Sequence, residues 1–256
     1  MSATPAVLVD DRLVEAFHVD ALGRLKPEAL FGYLLNIAWN HAKDTSYGFS
    51  ELAERNLMWV LIKVHLVIHR HPRWHERVRI ETWGKGIERL YALRDFAVTS
   101  ESGERMISGT STWLVLDRTS GRPQRFDLKT DGFPWFPERE EMKTSLDKVP
   151  AAENGTDVAQ FEVVFSDIDV NQHVNSARYL QWMMDSHSRE HLQAKEPASI
   201  ELSFLLEAMP DDRLTVTSAM SGDGELCSLR RDHDQKEVCR ARFEWRATDV
   251  ARKVKA

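Results

Sequence analysis

Apolar positions recur along this chain first with a helical period and then with a strand period, and this order occurs twice. In the first half Leu30, Leu34, Ile37 and Ala38 fall at helical spacing. Alternating runs follow at Val60–His69, Glu76–Trp83, Tyr91–Thr99 and Arg105–Leu116, with Ser100–Glu104 as a turn between the last two. In the second half Ala177, Leu180, Met183 and Met184 form the helical stripe. The alternating runs are then Ile200–Leu206, Arg213–Met220, Glu225–Asp232 and Lys236–Trp245, with turns at Ser221–Gly224 and Asp232–Gln235. Each half predicts one helix followed by several strands, an α+β arrangement of a helix on an antiparallel sheet.

The halves also match residue by residue. With an offset of 149, Asp20–Ala42 lies over Asp169–His191 without a gap, placing Leu25 on Val174, Phe31 on Leu180, Tyr33 on Trp182 and Leu34 on Met183. Further on, loop lengths change the offset, but Pro72 falls on Pro210, Trp113 on Trp245 and Asp117 on Asp249. Pro72 and Pro210 sit at breaks between strands, where proline is tolerated. Arg122–Asp157 is rich in Pro, Lys, Glu and Asp, has no apolar period, and reads as a connection crossing the surface. The expected division is a half at 1–140, a linker at 141–158 and a half at 159–256.

Composition narrows the setting but not the chemistry. The chain has 256 residues, 42% hydrophobic and 29% charged, enough for a full core without disulfides or metals. A net charge of −6 disfavours non-specific binding to nucleic acid. Cys227 and Cys239 alone suit a reducing compartment better than a disulfide framework. The N-terminal residues lack a basic stretch and a long apolar run, so no signal peptide is expected. No window reaches the length of a membrane span, and a cytoplasmic protein is the expectation.

The chemistry concentrates in Asp167–Ser186, DIDVNQHVNSARYLQWMMDS. Asp169, Asn171, His173 and Asn175 occupy alternate positions and then an apolar helix begins. At the first three of these the first half has Asp20, Leu22 and Arg24. The aspartate is common to both halves, whereas the amide and imidazole occur only in the second. A shared fold therefore needs neither Asn171 nor His173, which favours a chemical role for them. Asn175 or Ser176 is the expected N-cap, which brings the stretch to a helix N-terminus with its free N–H groups and positive dipole end. Such an end can polarise a carbonyl. Imidazole can act as acid, base or donor near neutral pH, and a carboxylate can act as base, nucleophile or orienting group. Ordering of the turn by Asp169 is the plainer alternative.

This stretch resembles the signature of the acyl-acyl carrier protein thioesterases, with the wider hot-dog thioesterases sharing an Asp followed by His-Val-Asn and an apolar helix with an early aromatic. The resemblance covers the whole chain. It implies two tandem hot-dog folds, each a long helix wrapped by an antiparallel sheet, with the acyl-chain pocket mainly in the first half and the active motif in the second. It implies a catalytic set of Asp169, Asn171, His173 and, in Leu202–Pro210, Glu207. The plant enzymes carry a cysteine after that glutamate, and Ala208 stands here, so a thiol nucleophile at that place is closed to this chain. The implied reaction is hydrolysis of acyl-acyl carrier protein to free fatty acid without cofactor or metal. Glu207 or Asp169 would be general base to a water, with Asn171 holding water or carbonyl; a covalent carboxylate intermediate remains the alternative. An acyl-CoA thioesterase and a non-catalytic acyl-binding protein are the other readings of the same scaffold.

Other polar clusters read more simply. His69 and His71 share a strand face, but Pro72 breaks the run and metal-ligand spacing is absent. His187 and His191 lie near a helix C-terminus, where the dipole favours them. An acidic carrier with an anionic phosphopantetheine requires a local basic patch on a net-acidic enzyme, and Arg122, Arg125, Lys129, Arg230 and Arg231 are candidates. Two halves in one chain satisfy hot-dog pairing internally, which leaves a monomer or a homodimer.

Overall fold

A computed structural model describes residues 5–43, 45, 47–125, 133–222 and 224–248. They form two compact units, Met1–Leu146 and Asp147–Ala256.

The first unit contains β1 (Leu8–Leu13), α1 (Pro27–Lys43), the short α2 (Phe49–Glu54), β2 (Leu57–Ile68), β3 (Arg77–Glu88), β4 (Tyr91–Ser100) and β5 (Arg105–Asp117). The strands run in the order β1-β3-β4-β5-β2, every neighbour antiparallel. Pro27 opens α1, where a missing N–H costs nothing and a fixed φ helps. The helix buries Leu30, Phe31, Leu34 and Ile37, which join Val64, Leu66, Ile80, Phe96 and Ile107 from the strands in the core. Each fully buried side chain of this size contributes about 1.5–3 kcal/mol. The turn at Ser100–Glu104 closes through Gly103 at φ 85°, a conformation glycine adopts without a Cβ penalty.

The second unit repeats this plan. It has β6 (Thr156–Glu162), α3 (Ser176–Asp185), α4 (Arg189–Ala194), β7 (Lys195–Phe204), β8 (Arg213–Ser221), β9 (Gly224–Arg231) and β10 (Glu237–Ala247). Its order is β6-β8-β9-β10-β7, again antiparallel throughout. The helix α3 presents Tyr179, Leu180, Met183 and Met184 to the core, where Leu202, Val216, Leu229 and Phe243 are fully buried. The repeat is accurate enough that α1 and α3 begin at equivalent residues, Pro27 and Ser176, and a 3-10 turn precedes each, at Ala16–His18 and Phe165–Asp167. Each half is thus a long helix against a five-stranded antiparallel sheet, the tandem hot-dog architecture.

Two strands escaped the periodicity. β1 is six residues long with two central aspartates, and β6 starts at Thr156 inside the stretch read as a connection. That connection is also less superficial than its composition predicts. Phe133, Val149 and Ala152 are buried. Its backbone is satisfied by side chains of the sheets: Val149 N donates to Ser203 Oγ at 2.9 Å, and Ala152 N to Ser228 Oγ at 3.0 Å. A polar segment can lie against a sheet when its amides find acceptors there. Among the described residues, no helix is long and apolar enough to cross a membrane.

Candidate active site

Asp169 heads a tight turn. Its N–H donates to His173 O at 2.8 Å, Gln172 N donates to Asp169 O at 3.0 Å, and Asn171 N donates to Asp169 Oδ1 at 2.8 Å. The first unit builds the same turn. Asp20 N donates to Arg24 O at 2.8 Å, Gly23 N to Asp20 O at 3.0 Å, and Leu22 N to Asp20 Oδ1 at 2.8 Å. Gly23 takes φ 70° and its counterpart Gln172 takes φ 64°, so the second unit holds a bulky residue in the left-handed region. The aspartate-headed turn is therefore part of the fold in both halves.

The halves part at the fifth residue. Arg24 folds back onto Asp20 Oδ2 at 2.7 Å. His173 occupies the equivalent place, and its Nε2 lies 3.6 Å from Glu207 Oε2. Past the turn, Asn175 caps α3, its Oδ1 accepting from Ala177 N at 2.9 Å. Arg178 reaches back from the first turn of α3 to Asp167 Oδ1 at 3.2 Å and to Ser166 O at 3.2 Å. Cap and clamp together fix the loop that carries Asp169, Asn171 and His173.

Glu207 lies in the loop after β7, beyond the strand end predicted for it. Its backbone is held on both sides. Arg231 Nη1 donates to Glu207 O at 3.0 Å, with Arg231 itself paired to Asp234 at 2.7 Å. Ala208 N donates to the Tyr179 hydroxyl at 3.0 Å. Burial raises the Tyr179 phenol above its ordinary pKa, so it stays neutral and available as an acceptor. The Glu207 side chain is by contrast half exposed, and among the described residues its ion-pair partner is His173. The structure thus brings His173 and Glu207 together. Asn171 and Asp169 sit on the same loop as His173, and the Asn171 amide and Asp169 Oδ2 have no hydrogen-bond partner among the described residues. Tyr179 was visible only as the early aromatic of the helix, and its bond to Ala208 has no sequence signal.

No thiol competes for this role. Ala208 is fully buried, and Cys227 and Cys239 are buried in β9 and β10. Burial pushes both thiols well above their ordinary pKa, which leaves them unreactive. His187 does contact the end of α3, at Met184 O, but its stronger partner is Glu225, 2.8 Å away. Glu225 also accepts from Ser218 Oγ at 2.5 Å and Trp245 Nε1 at 2.8 Å. Burial works against the charge, yet these bonds outweigh it and hold the carboxyl down to about 2. Of the basic candidates, Arg231 is spent on Asp234 and Glu207, and Arg230 lies 3.4 Å from Asp157. Arg122 and Arg125 are exposed, and Lys129 lies outside the described residues.

The first unit contains a recess partly open to solvent, lined by Trp39, Tyr47, Trp59, Trp113, Phe133 and Trp135 together with Arg94. Aromatic walls of this kind suit an apolar ligand. Trp39 contributes to the wall, whereas Met183 and Met184 belong to the core of the second unit.

The doubled helix-on-sheet plan, with a polar constellation present in only one copy, places the chain among tandem hot-dog thioesterases. The profile for the acyl-ACP thioesterase N-terminal domain matches residues 10–128, and that for the C-terminal domain matches residues 151–247. The chain belongs to the acyl-ACP thioesterase family. It is 28% identical to the oleoyl-acyl carrier protein thioesterase 2, chloroplastic, of Arabidopsis thaliana, over 91% of this chain and 75% of that protein. A crystal structure of an acyl-ACP thioesterase from Bacteroides thetaiotaomicron superposes with a TM-score of 0.85 at 26% identity, covering 94% of this chain and 98% of the other. The 12:0-ACP thioesterase from Umbellularia californica shares the fold, with a TM-score of 0.83 at 22% identity over 97% of this chain and 100% of that one.

Proposed function

We propose that this protein hydrolyses the thioester of acyl-acyl carrier protein and releases free fatty acid, with Glu207 as general base and His173, Asn171 and Asp169 completing the site. The approach of His173 to Glu207, at the position where the sister half has an Asp20–Arg24 pair, is the observation that carries this reading. Glu207 takes a proton from water, and the hydroxyl oxygen bonds to the thioester carbon. The carbon–sulfur bond then breaks, and the proton passes through His173 to the departing thiolate. Asn171, with an unengaged amide, holds the water or the carbonyl oxygen. Asp169 keeps the loop in place through its turn. Glu207 is preferred to Asp169 as base because one oxygen of Asp169 is already bound in a turn that the other half builds without chemistry. A positioned base of this kind supplies a rate factor of about 10²–10⁴.

The aromatic cavity of the first unit is the seat of the acyl chain in this reading. The buried, unpaired cysteines suit a reducing setting such as the cytoplasm. Thiol release from matched carrier-protein and CoA thioesters, with wild type beside His173→Ala and Glu207→Gln, tests the proposal. Carrier-dependent release that collapses in both variants is the expected result. Faster turnover of the CoA thioesters would reassign the donor, and fatty-acid binding without release from any thioester would overturn the hydrolytic reading.

A further inference from the structure

The cavity of the first unit is not uniformly apolar. Arg94 stands on its wall and is only 8% exposed. One of its terminal nitrogens, Nη1, donates to His41 Nδ1 at 2.9 Å and to Thr82 Oγ1 at 3.1 Å. Both acceptors are then used up. His41 is tied through Nε2 to Pro5 O at 2.8 Å, and the Thr82 hydroxyl donates to Asp95 O at 3.0 Å. Asp95 in turn pairs with Lys85 at 3.1 Å. The remaining guanidinium donors, Nε and Nη2, have no partner among the described residues, and no carboxylate among those residues pairs with Arg94. Trp135, on the same wall, has a buried indole N–H without a partner. Arg94, without a carboxylate partner, and Trp135, with an unmet indole N–H, thus stand on a recess otherwise lined by aromatic and small apolar residues.

Stripping water from a donor without supplying a new partner is costly, and from a cation more so. A chain of plain methylenes filling the recess would displace any water from these donors and replace it with nothing. Taking the acyl chain to occupy this cavity, as in the function proposed above, we propose that the enzyme prefers acyl chains bearing an oxygen acceptor away from the thioester, received by Arg94 and the Trp135 indole N–H. A hydroxyl, an oxo group or a terminal carboxylate each supplies the missing acceptor. Sites built around such a bond reject the analogue lacking it far more strongly than an apolar slot rejects a methylene.

The test compares carrier-protein thioesters of equal length bearing a plain, hydroxy, oxo or ω-carboxy chain, the first two oxygen types as positional series. kcat/KM is measured for wild type, Trp135→Phe and Arg94→Met, and the corresponding free acids are titrated calorimetrically against wild type. An oxygenated series exceeding the plain chain by about tenfold or more, with the ratio falling toward one in Trp135→Phe, is expected. Which series leads identifies the acceptor. Arg94→Met tests the cation where it folds, and Trp135→Phe carries the test where it does not. Plain chains turned over and bound as well as every oxygenated chain would overturn the proposal while leaving hydrolysis intact. Tighter binding of oxygenated acids with no thioester cleaved would uphold it and remove the hydrolytic reading instead.

Discussion

The imidazole Nε2 of His173 lies 3.6 Å from Glu207 Oε2, a separation that a small side-chain rotation shortens to a hydrogen bond. If the two act as one unit on water, removing either should cost most of what removing both costs. His173→Ala and Glu207→Gln are each expected to lower kcat by about 10²-fold or more, with the double variant little slower than the worse single one. Steady-state kinetics on one carrier-protein thioester measures this. Losses that multiply would mean that the residues act independently.

The hydroxyl of Tyr179 holds the backbone beside Glu207 without touching the reacting groups. Tyr179→Phe leaves the buried Ala208 N–H without its acceptor, at a cost of about 1–3 kcal/mol. A lower Tm is therefore expected together with a lower kcat, because the loop carrying Glu207 loses one of its two anchors. KM should move less than kcat. A variant destabilised to this extent but fully active would show that Arg231 alone positions Glu207.

These two residues also show how far the sequence could be read. The helix stripe, four strands in each half and a cap at Asn175 or Ser176 follow from periodicity and capping preference, because burial on one face imposes the period, and the structure puts the cap at Asn175. β1 did not stand out because Asp10 and Asp11 fill the middle of a short strand and hide its alternation. Asn171 and His173 emerged from the difference between the halves. Glu207 has no local signal and was reached only through the family resemblance. The bond between Tyr179 and Ala208 joins positions 29 residues apart, and nothing in a single sequence pairs them. Arg94 reads as an ordinary polar residue of a strand until the fold shows which way its wall faces.

His41 makes stability depend on pH. Burial, reinforced by the nearby Arg94 charge, holds its pKa down to about 4 from an ordinary value near 6.5. The unfolded chain takes up a proton near pH 6.5 that the folded chain refuses until about pH 4. Stability is therefore complete above pH 6.5 and declines as the pH falls toward 4, by on the order of 2 kcal/mol at pH 5. His18 and His191, also lowered by burial, add in the same direction. His187, raised by Glu225 against its burial, has the opposite sign, stabilising at low pH and losing that contribution as the pH rises through its folded value. Urea denaturation at pH 7.5 and 5 should thus show a smaller difference in His41→Gln than in wild type, since the other histidines cancel in the comparison. An equal difference in both proteins would remove His41 as the cause.

Asp169 and Asp20 allow the structural role of a carboxylate to be separated from a chemical one. Asp169 Oδ1 accepts Asn171 N and Asp20 Oδ1 accepts Leu22 N and Arg24 N in the same turn, so an amide oxygen can replace that oxygen with little change. Asp169→Ala removes the acceptor and should cost about 1 kcal/mol, together with activity, because the loop bearing Asn171 and His173 loosens. Asp169→Asn keeps the acceptor and loses only the charge. With Glu207 as the base, Asp169→Asn should retain wild-type Tm within a degree or two and a rate within about tenfold, far above the level of Glu207→Gln. Asp20→Asn, in the half without the constellation, should break the 2.7 Å pair with Arg24 and lower Tm while leaving the chemical step alone. Should Asp169→Asn instead match Glu207→Gln in kcat at an unchanged Tm, the aspartate would share in moving the proton, and the turn it makes in both halves would be the scaffold on which the second half built its chemistry.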